Sequence, residues 1–294
     1  VKFGLRYCNI GPLSQREPAL EIARFAEDAG FESLWTIEHV VIPAEYQSKY
    51  PYSDDGRFGW REDLDYPDPI MWLAVLAGAT TSIKLGSAVM ILPQRNPVVL
   101  AKEIATFDMM SGGRALLGVG VGWLEEEFES IGIPFPERGP RTDEAIEVLR
   151  VLWAEDEASF DGEFTQLDRA LMFPKPAQKV GGAPGVPVII GGHSKLAARR
   201  AGRLGDGFFP ARATPDDLGA LLQEVERAAG DAGRSMSAIE VTAGSAFDLD
   251  TARRFEQMGA DRVMCPLMLP ELITDLDDAK RKITWFADEI MSAF

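Results

Sequence analysis

Short apolar runs alternate along this chain with longer stretches in which apolar residues return every third or fourth position, the pattern of strands and amphipathic helices taken in turn. The most informative run covers Ile83 to Pro93. Ser87 is its one polar interruption after Lys84, as a strand buried on both faces of a parallel sheet requires. Val98, Ala101, Ile104, Ala105 and Phe107 then supply one apolar face for a helix over 97–110, which Ser111-Gly112-Gly113 stops. A further strand starts at Ala115 and runs into the glycine alternation Gly118-Val119-Gly120-Val121-Gly122.

The same alternation holds elsewhere. It predicts further strands over 3–7, 33–39, 186–192, 207–210, 239–243 and 262–267. Helices are predicted over 17–29, 68–80, 141–153, 194–204, 216–229, 251–258 and 271–291, with a short acidic one after Trp123. Eight strand-helix units with no reversal and no linker-like break predict one α/β domain, a (β/α)8 TIM barrel over 1–294. Two segments do not fit the repeat. Residues 40–67 are long and hold Tyr46, Tyr50, Tyr52 and Trp60, which predicts an ordered lid-like insertion after the second strand. Residues 157–180 read as an inserted hairpin followed by a rigid connector at Phe173-Pro174-Lys175-Pro176.

Composition narrows the function classes. A net charge of −16 argues against general affinity for nucleic acid or an anionic membrane, so neither is expected as a partner. Two cysteines cannot build a disulfide framework or a four-cysteine metal site, and no apolar run reaches membrane-spanning length. The sequence starts directly on a strand, and a reducing cytoplasm is the expected location.

In such barrels chemistry sits just after the strands. Both histidines of the chain fall there. His39 follows the second strand and can exchange a proton near neutral pH, or it can be a hydrogen-bonded histidine lining a strand end. Glu38 alternates with it and should point to the opposite side, toward a helix-side cation. Gly191-Gly192-His193-Ser194-Lys195 joins a strand to a helix with Ser194 as candidate N-cap, the form of either an ordinary turn or a phosphate cradle. The glycine alternation at 118–122 lacks the context of a dinucleotide fingerprint, and clearance for a flat ring against the backbone explains it better. Clustered histidines for a catalytic metal, an inward lysine at a strand end and a Gly-x-Ser-x-Gly elbow are all missing, so no metal centre, Schiff base or serine nucleophile is expected.

Glu38-His39, the strand 85–89 leading to Pro93-Gln94-Arg95-Asn96-Pro97, Ser111-Gly112-Gly113-Arg114 and Gly118 to Trp123 together resemble the bacterial luciferase-like flavin and deazaflavin oxidoreductases. The resemblance spans nearly the whole chain. It is strongest to the branch that uses coenzyme F420, where Gly191-Gly192 and Gly205-Asp206-Gly207 also recur in order. It implies a luciferase-like TIM barrel with a tricyclic ring across its mouth and a non-proline cis peptide or bulge at Val89, Met90 and Ile91 pressed against that ring. His39 would handle a proton, Gly120 and Gly122 would line the ring, and Gly191, Gly192, His193 and Ser194 would hold the phosphate. Where some relatives carry an acidic residue directly after the glycines, Trp123 stands here, and Glu125-Glu126-Glu127 come later. Trp123 would stack on ring or substrate, or pack in the core, and Tyr46 and Trp60 would cover an apolar substrate or form a subunit contact. The implied activity is hydride transfer between F420 and a small organic substrate, in a homodimer. The alternatives are an FMN-dependent monooxygenase and a non-catalytic barrel that binds a flavin or metabolite.

Overall fold

A computed structural model describes residues 1–53, 55–58, 64–268 and 271–294. The chain starts with β1 (Lys2–Arg6), α1 (Arg16–Asp28) and β2 (Ser33–Thr36). Next come α2 (Pro69–Ala77), β3 (Lys84–Ser87), β4 (Met90–Ile91), α3 (Pro97–Met110), β5 (Ala115–Gly120) and α4 (Glu125–Ser130). After α5 (Arg138–Ala154), the short strands β6 (Ala158–Asp161), β7 (Gln166–Ala170), β8 (Lys179–Val180) and β9 (Ala183–Pro184) pair off as two antiparallel ribbons. The repeat resumes with β10 (Val188–Gly191), α6 (Lys195–Leu204), β11 (Gly207–Phe209), α7 (Pro215–Asp231), β12 (Glu240–Ser245), α8 (Leu249–Gln257), β13 (Arg262–Cys265) and α9 (Leu276–Glu289).

Among the described residues, eight parallel strands close in the order β1-β2-β3-β5-β10-β11-β12-β13 and back to β1, where Lys2 stands opposite Arg262 and Leu5 opposite Cys265. This is the luciferase-like TIM barrel, with helices around it. The inserted ribbons lie between β5 and β10 in sequence, yet those two strands pair directly, Val188 opposite Leu117. Helix starts follow local chemistry: Asn96 accepts from the N–H groups of Val98 and Val99 just before Pro97, and Thr214 and Asp217 form a reciprocal capping box.

The inside of the barrel is plugged by Trp35, Leu116, Ile189, Phe209 and Met264. Trp35 fits because its neighbours on β1 and β3 have no side chain: a Cβ on Gly4 or Gly86 would stand 2.9 or 2.7 Å from its ring. Arg262, 1% exposed, lies 5.2 Å from the Trp35 ring and is held by Glu32 and Glu240. With the lower barrel filled, free space is left at the carboxyl ends of the strands.

Three boundaries differ from the sequence expectation, each with a local cause. The second strand stops at Thr36 because Asn9 takes over the pairing of Ile37, accepting from its N–H and donating to its carbonyl, both at 2.9 Å. The third strand is not continuous over 85–92. It breaks into β3 and β4 around a cis peptide between Ala88 and Val89, and β4 pairs with β5 alone. The last helix starts at Leu276 rather than near 271 because Asp275 caps it, accepting from Asp278 N at 2.8 Å. No helix among the described residues is long and apolar enough to cross a membrane.

Candidate active site

The strand ends surround a cavity of about 1180 Å³. His39 lines it, carried just past β2 on the segment that Asn9 pins. Its Nδ1 lies 3.3 Å from Oε2 of Glu127, whose side chain is fully buried in α4. The other carboxylate oxygen of Glu127 accepts from the N–H of Val40 at 2.6 Å and of Val41 at 3.2 Å. A carboxylate that takes only donors holds the imidazole proton on Nδ1, so Nε2 is the nitrogen that can take or give a proton. Glu127 is the main residue that sequence reasoning missed. Three consecutive glutamates on a short helix give no sign of which one turns inward.

Glu38 points the other way, as its alternation with His39 predicts. It accepts from Ile91 N at 2.6 Å and pairs with Arg95, which also reaches Asp68 at 2.7 Å. The cation holds the carboxylate, and the carboxylate holds β4 in place behind the cavity floor.

Val89 forms that floor. Ala88, Val89 and Ile91 line the cavity together with Gly120, Gly122, Gly191 and Gly192. The reason for the glycines differs from the one inferred above. A Cβ on Gly120 would lie 2.6 Å from Val89 Cγ2, and one on Gly191 only 2.2 Å from Val89 Cγ1. Gly122, at φ +80°, would meet Ile91 and Phe128 within 3 Å. The glycines thus make room first for the protein's own bulge, and the ledge that results faces the cavity. Met90 does not belong to the site: it is 1% exposed and turns into the core between barrel and helices, because alternation along β4 sends it opposite to its neighbours.

At the far wall, Gly191-Gly192 leads into α6, and Gly192 takes φ +117°, a conformation open to glycine. Ser194 caps α6 by accepting from Ala197 N at 3.1 Å. The N–H groups of Lys195 and Leu196 have no carbonyl one turn back to bind, so this end can receive an anion. The Lys195 side chain adds nothing, since it is exposed and turned to Glu224. His193 lines the cavity with its ring 4.7 Å from that of Tyr52; burial, and next the charge of Arg212, lowers its pKa and favours the neutral ring. Beyond it the successive turns of α6 present Arg199, Arg200 and Arg203 to the cavity, facing Arg138 at the start of α5.

The described part of 40–67 has no helix or strand and forms a cluster of its own, Tyr46, Phe58 and Leu124 with Ile42, Tyr50, Tyr66 and Trp123 packed around them. Trp123 lines the cavity, 6.0 Å from His39 and 5.1 Å from Tyr50 between ring centres. Tyr46 does not reach the cavity. It is 5% exposed, supports Trp123 from behind at 5.8 Å, and its hydroxyl accepts from Phe58 N. Trp60 lies outside the described residues. The segment is tied down by α4: Glu126 accepts from the N–H of Gln47 and Ser48, and Ser48 Oγ accepts from Glu125 N. Burial works to raise the Glu126 pKa, but the donors from Ser48 and Gln47 outweigh it and hold it at about 2. A depressed carboxylate contributes above its unfolded value near 4.5 and loses that contribution as pH falls toward 2. Tryptophan emission from the cluster should therefore hold from pH 7 to about 4.5 and change below it, and Glu126→Gln should remove that acid-linked step.

The model of the luciferase-like monooxygenase family matches residues 10–265. An uncharacterised protein of Mycobacterium tuberculosis is 32% identical over 278 residues, covering 93% of this chain and 94% of that protein. An F420-dependent glucose-6-phosphate dehydrogenase of Kineococcus radiotolerans is 30% identical over 255 residues, covering 83% of this chain and 67% of the enzyme. Among solved structures, the coenzyme F420-dependent tetrahydromethanopterin reductase of Methanopyrus kandleri superposes with a TM-score of 0.76 at 18% identity, over 100% of this chain and 99% of that one, a likeness of fold. The matched span and the level of identity show that this chain belongs to the luciferase-like monooxygenase family.

Proposed function

We propose that the protein is an oxidoreductase that passes hydride between the deazaflavin coenzyme F420 and a small organic substrate, with His39 giving or taking the accompanying proton. The observation that carries this reading is the cavity itself, in which a histidine oriented by Glu127 faces a ledge of Val89 and side-chain-free strand ends. The residues present fit such a group. Val89, Gly120 and Gly122 offer a flat face, and the start of α6 offers backbone donors to a phosphate. The cavity then continues along Arg199, Arg200 and Arg203, which pair with Glu224 and Asp143, and leaves room for the acidic tail that F420 carries beyond its phosphate and FMN lacks. When bound, the deazaflavin supplies a carbon centre that gives or accepts hydride. The protein's own part is to hold both partners in contact, to exclude water under the Trp123 and Tyr50 rings, and to keep Nε2 of His39 free for the proton.

Two other readings remain. The family's description names a monooxygenase, the reaction an FMN cofactor would serve, and a non-catalytic flavin-binding barrel would need the same ledge. Titrating the full chain with oxidised and reduced F420 and with FMN, followed by ligand absorbance, separates them. Saturable F420 binding, at least tenfold tighter than FMN, is expected. Saturable binding of FMN alone would replace the cofactor, and binding of reduced and oxidised F420 with no turnover across a substrate screen would favour the non-catalytic barrel.

A further inference from the structure

Arg6 closes β1 and lines the cavity, yet it is 4% exposed. Its Nη1 donates to the Ala211 carbonyl at 3.0 Å and to Ser245 Oγ at 3.3 Å, while its buried Nε has no hydrogen-bond partner. The guanidinium stands 4.1 Å from the centre of the Tyr7 ring and 5.4 Å from that of Phe209. Arg212, on the loop after β11, lines the same cavity and donates to the Tyr52 carbonyl at 2.9 Å. Neither arginine has a carboxylate partner among the described residues.

Carboxylates are not scarce in this molecule, which carries 46 acidic side chains against 30 basic ones. The other two buried arginines among the described residues have every guanidinium nitrogen bound, with carboxylates for Arg262 and without one for Arg114. Arg262 has Glu32 and Glu240, and Arg114 spends Nε, Nη1 and Nη2 on Ser111, Thr80, Ile83 and Ala77. A buried cation left without a counter-charge is costly, and structures keep one where a ligand brings the charge. Burial, and in part Arg212, lowers the Arg6 pKa, the direction expected of a cation waiting for an anion. The surrounding donors have the same bias. Burial pushes Tyr50 up to about 12 and raises Tyr52, so both phenols stay protonated and can donate.

We propose that Arg6 and Arg212 form an anion seat in the cavity wall, and that the substrate is a small organic acid whose carboxylate docks there between flat rings. This rests on the hydride-transfer reading above and names the substrate class for it. A guanidinium matches a carboxylate edge to edge, and the phenol rings on either side suit a planar acid.

Benzoate and its uncharged isostere benzamide are the probes, titrated calorimetrically into the full chain, first without cofactor and then with saturating oxidised F420. Benzoate should bind saturably and at least tenfold tighter than benzamide in both conditions. Arg212→Gln, at an exposed position where folding is not at risk, should weaken benzoate tenfold or more and leave benzamide unchanged; Arg6→Lys should do the same if it folds. Equal binding of the two probes, or an unaffected Arg212→Gln, overturns the seat. Benzoate expelled by F420 would give the seat to an anionic oxygen of the ring and overturn the substrate class. The cofactor-free arm separates the two readings: benzoate bound by a protein that takes neither F420 nor FMN sinks the hydride-transfer reading and leaves the seat standing, and the reverse result sinks the seat alone.

Discussion

Gly118→Ala is expected to destabilise the protein by about 3 kcal/mol or more, at the upper end of the usual cost of overpacking. The new Cβ would stand 1.9 Å from the carbonyl oxygen of Ser87 and 3.0 Å from its carbon. Both are backbone atoms, so no rotamer change can relieve the clash. Ser87 cannot retreat either, because its hydroxyl donates to the Gly118 carbonyl at 2.8 Å and the chain enters the ledge at Ala88 immediately afterwards. Calorimetry should show Tm lowered by roughly 6–12 °C. Gly230→Ala is the control: nothing lies within 4 Å of its added methyl, on a helix, and it should leave Tm unchanged or slightly raised. Equal behaviour of the two variants would show that β3 and β5 can separate, and the packing argument for the ledge would fail.

The second large effect concerns chemistry. His39→Asn should lower single-turnover hydride transfer by about 10² to 10⁴, the usual worth of a positioned acid or base, while F420 affinity changes little. Glu127→Gln tests the orientation separately. A glutamine can still accept from Val40 and Val41, but its amide can donate to Nδ1 and so move the imidazole proton to Nε2. Turnover should then fall by an order of magnitude or more with cofactor affinity and thermal stability near those of the parent. If both variants turn over like the parent, His39 lines the cavity without serving in it.

Much of this was legible in the sequence. Periodicity located the eight barrel strands to within a few residues, since most are dominated by buried apolar positions. It also paired Glu38 with a cation on the helix side, because alternation along an extended chain decides that locally. Most of the errors concern contacts between distant segments, and Met90 is one of pleat direction. The resemblance places Met90 against the ring and the lid's aromatic content places Tyr46 over the substrate, but pleat direction turns Met90 into the core and lid packing sets Tyr46 behind Trp123. Glu127 is not legible in the sequence because 88 positions separate it from His39 and its two neighbours are also glutamates.

By itself, then, the sequence determined the class of the fold, the strand ends where chemistry gathers, and the glycine positions at the cavity wall, all set by short-range pattern and by backbone conformations open to few residues. Tertiary structure alone decided what those glycines clear, which glutamate orients His39, and that Arg6 lies buried without a carboxylate. Each of these is a distance between residues far apart in the chain, and such a distance exists only once the barrel has closed and brought the strand ends around one space.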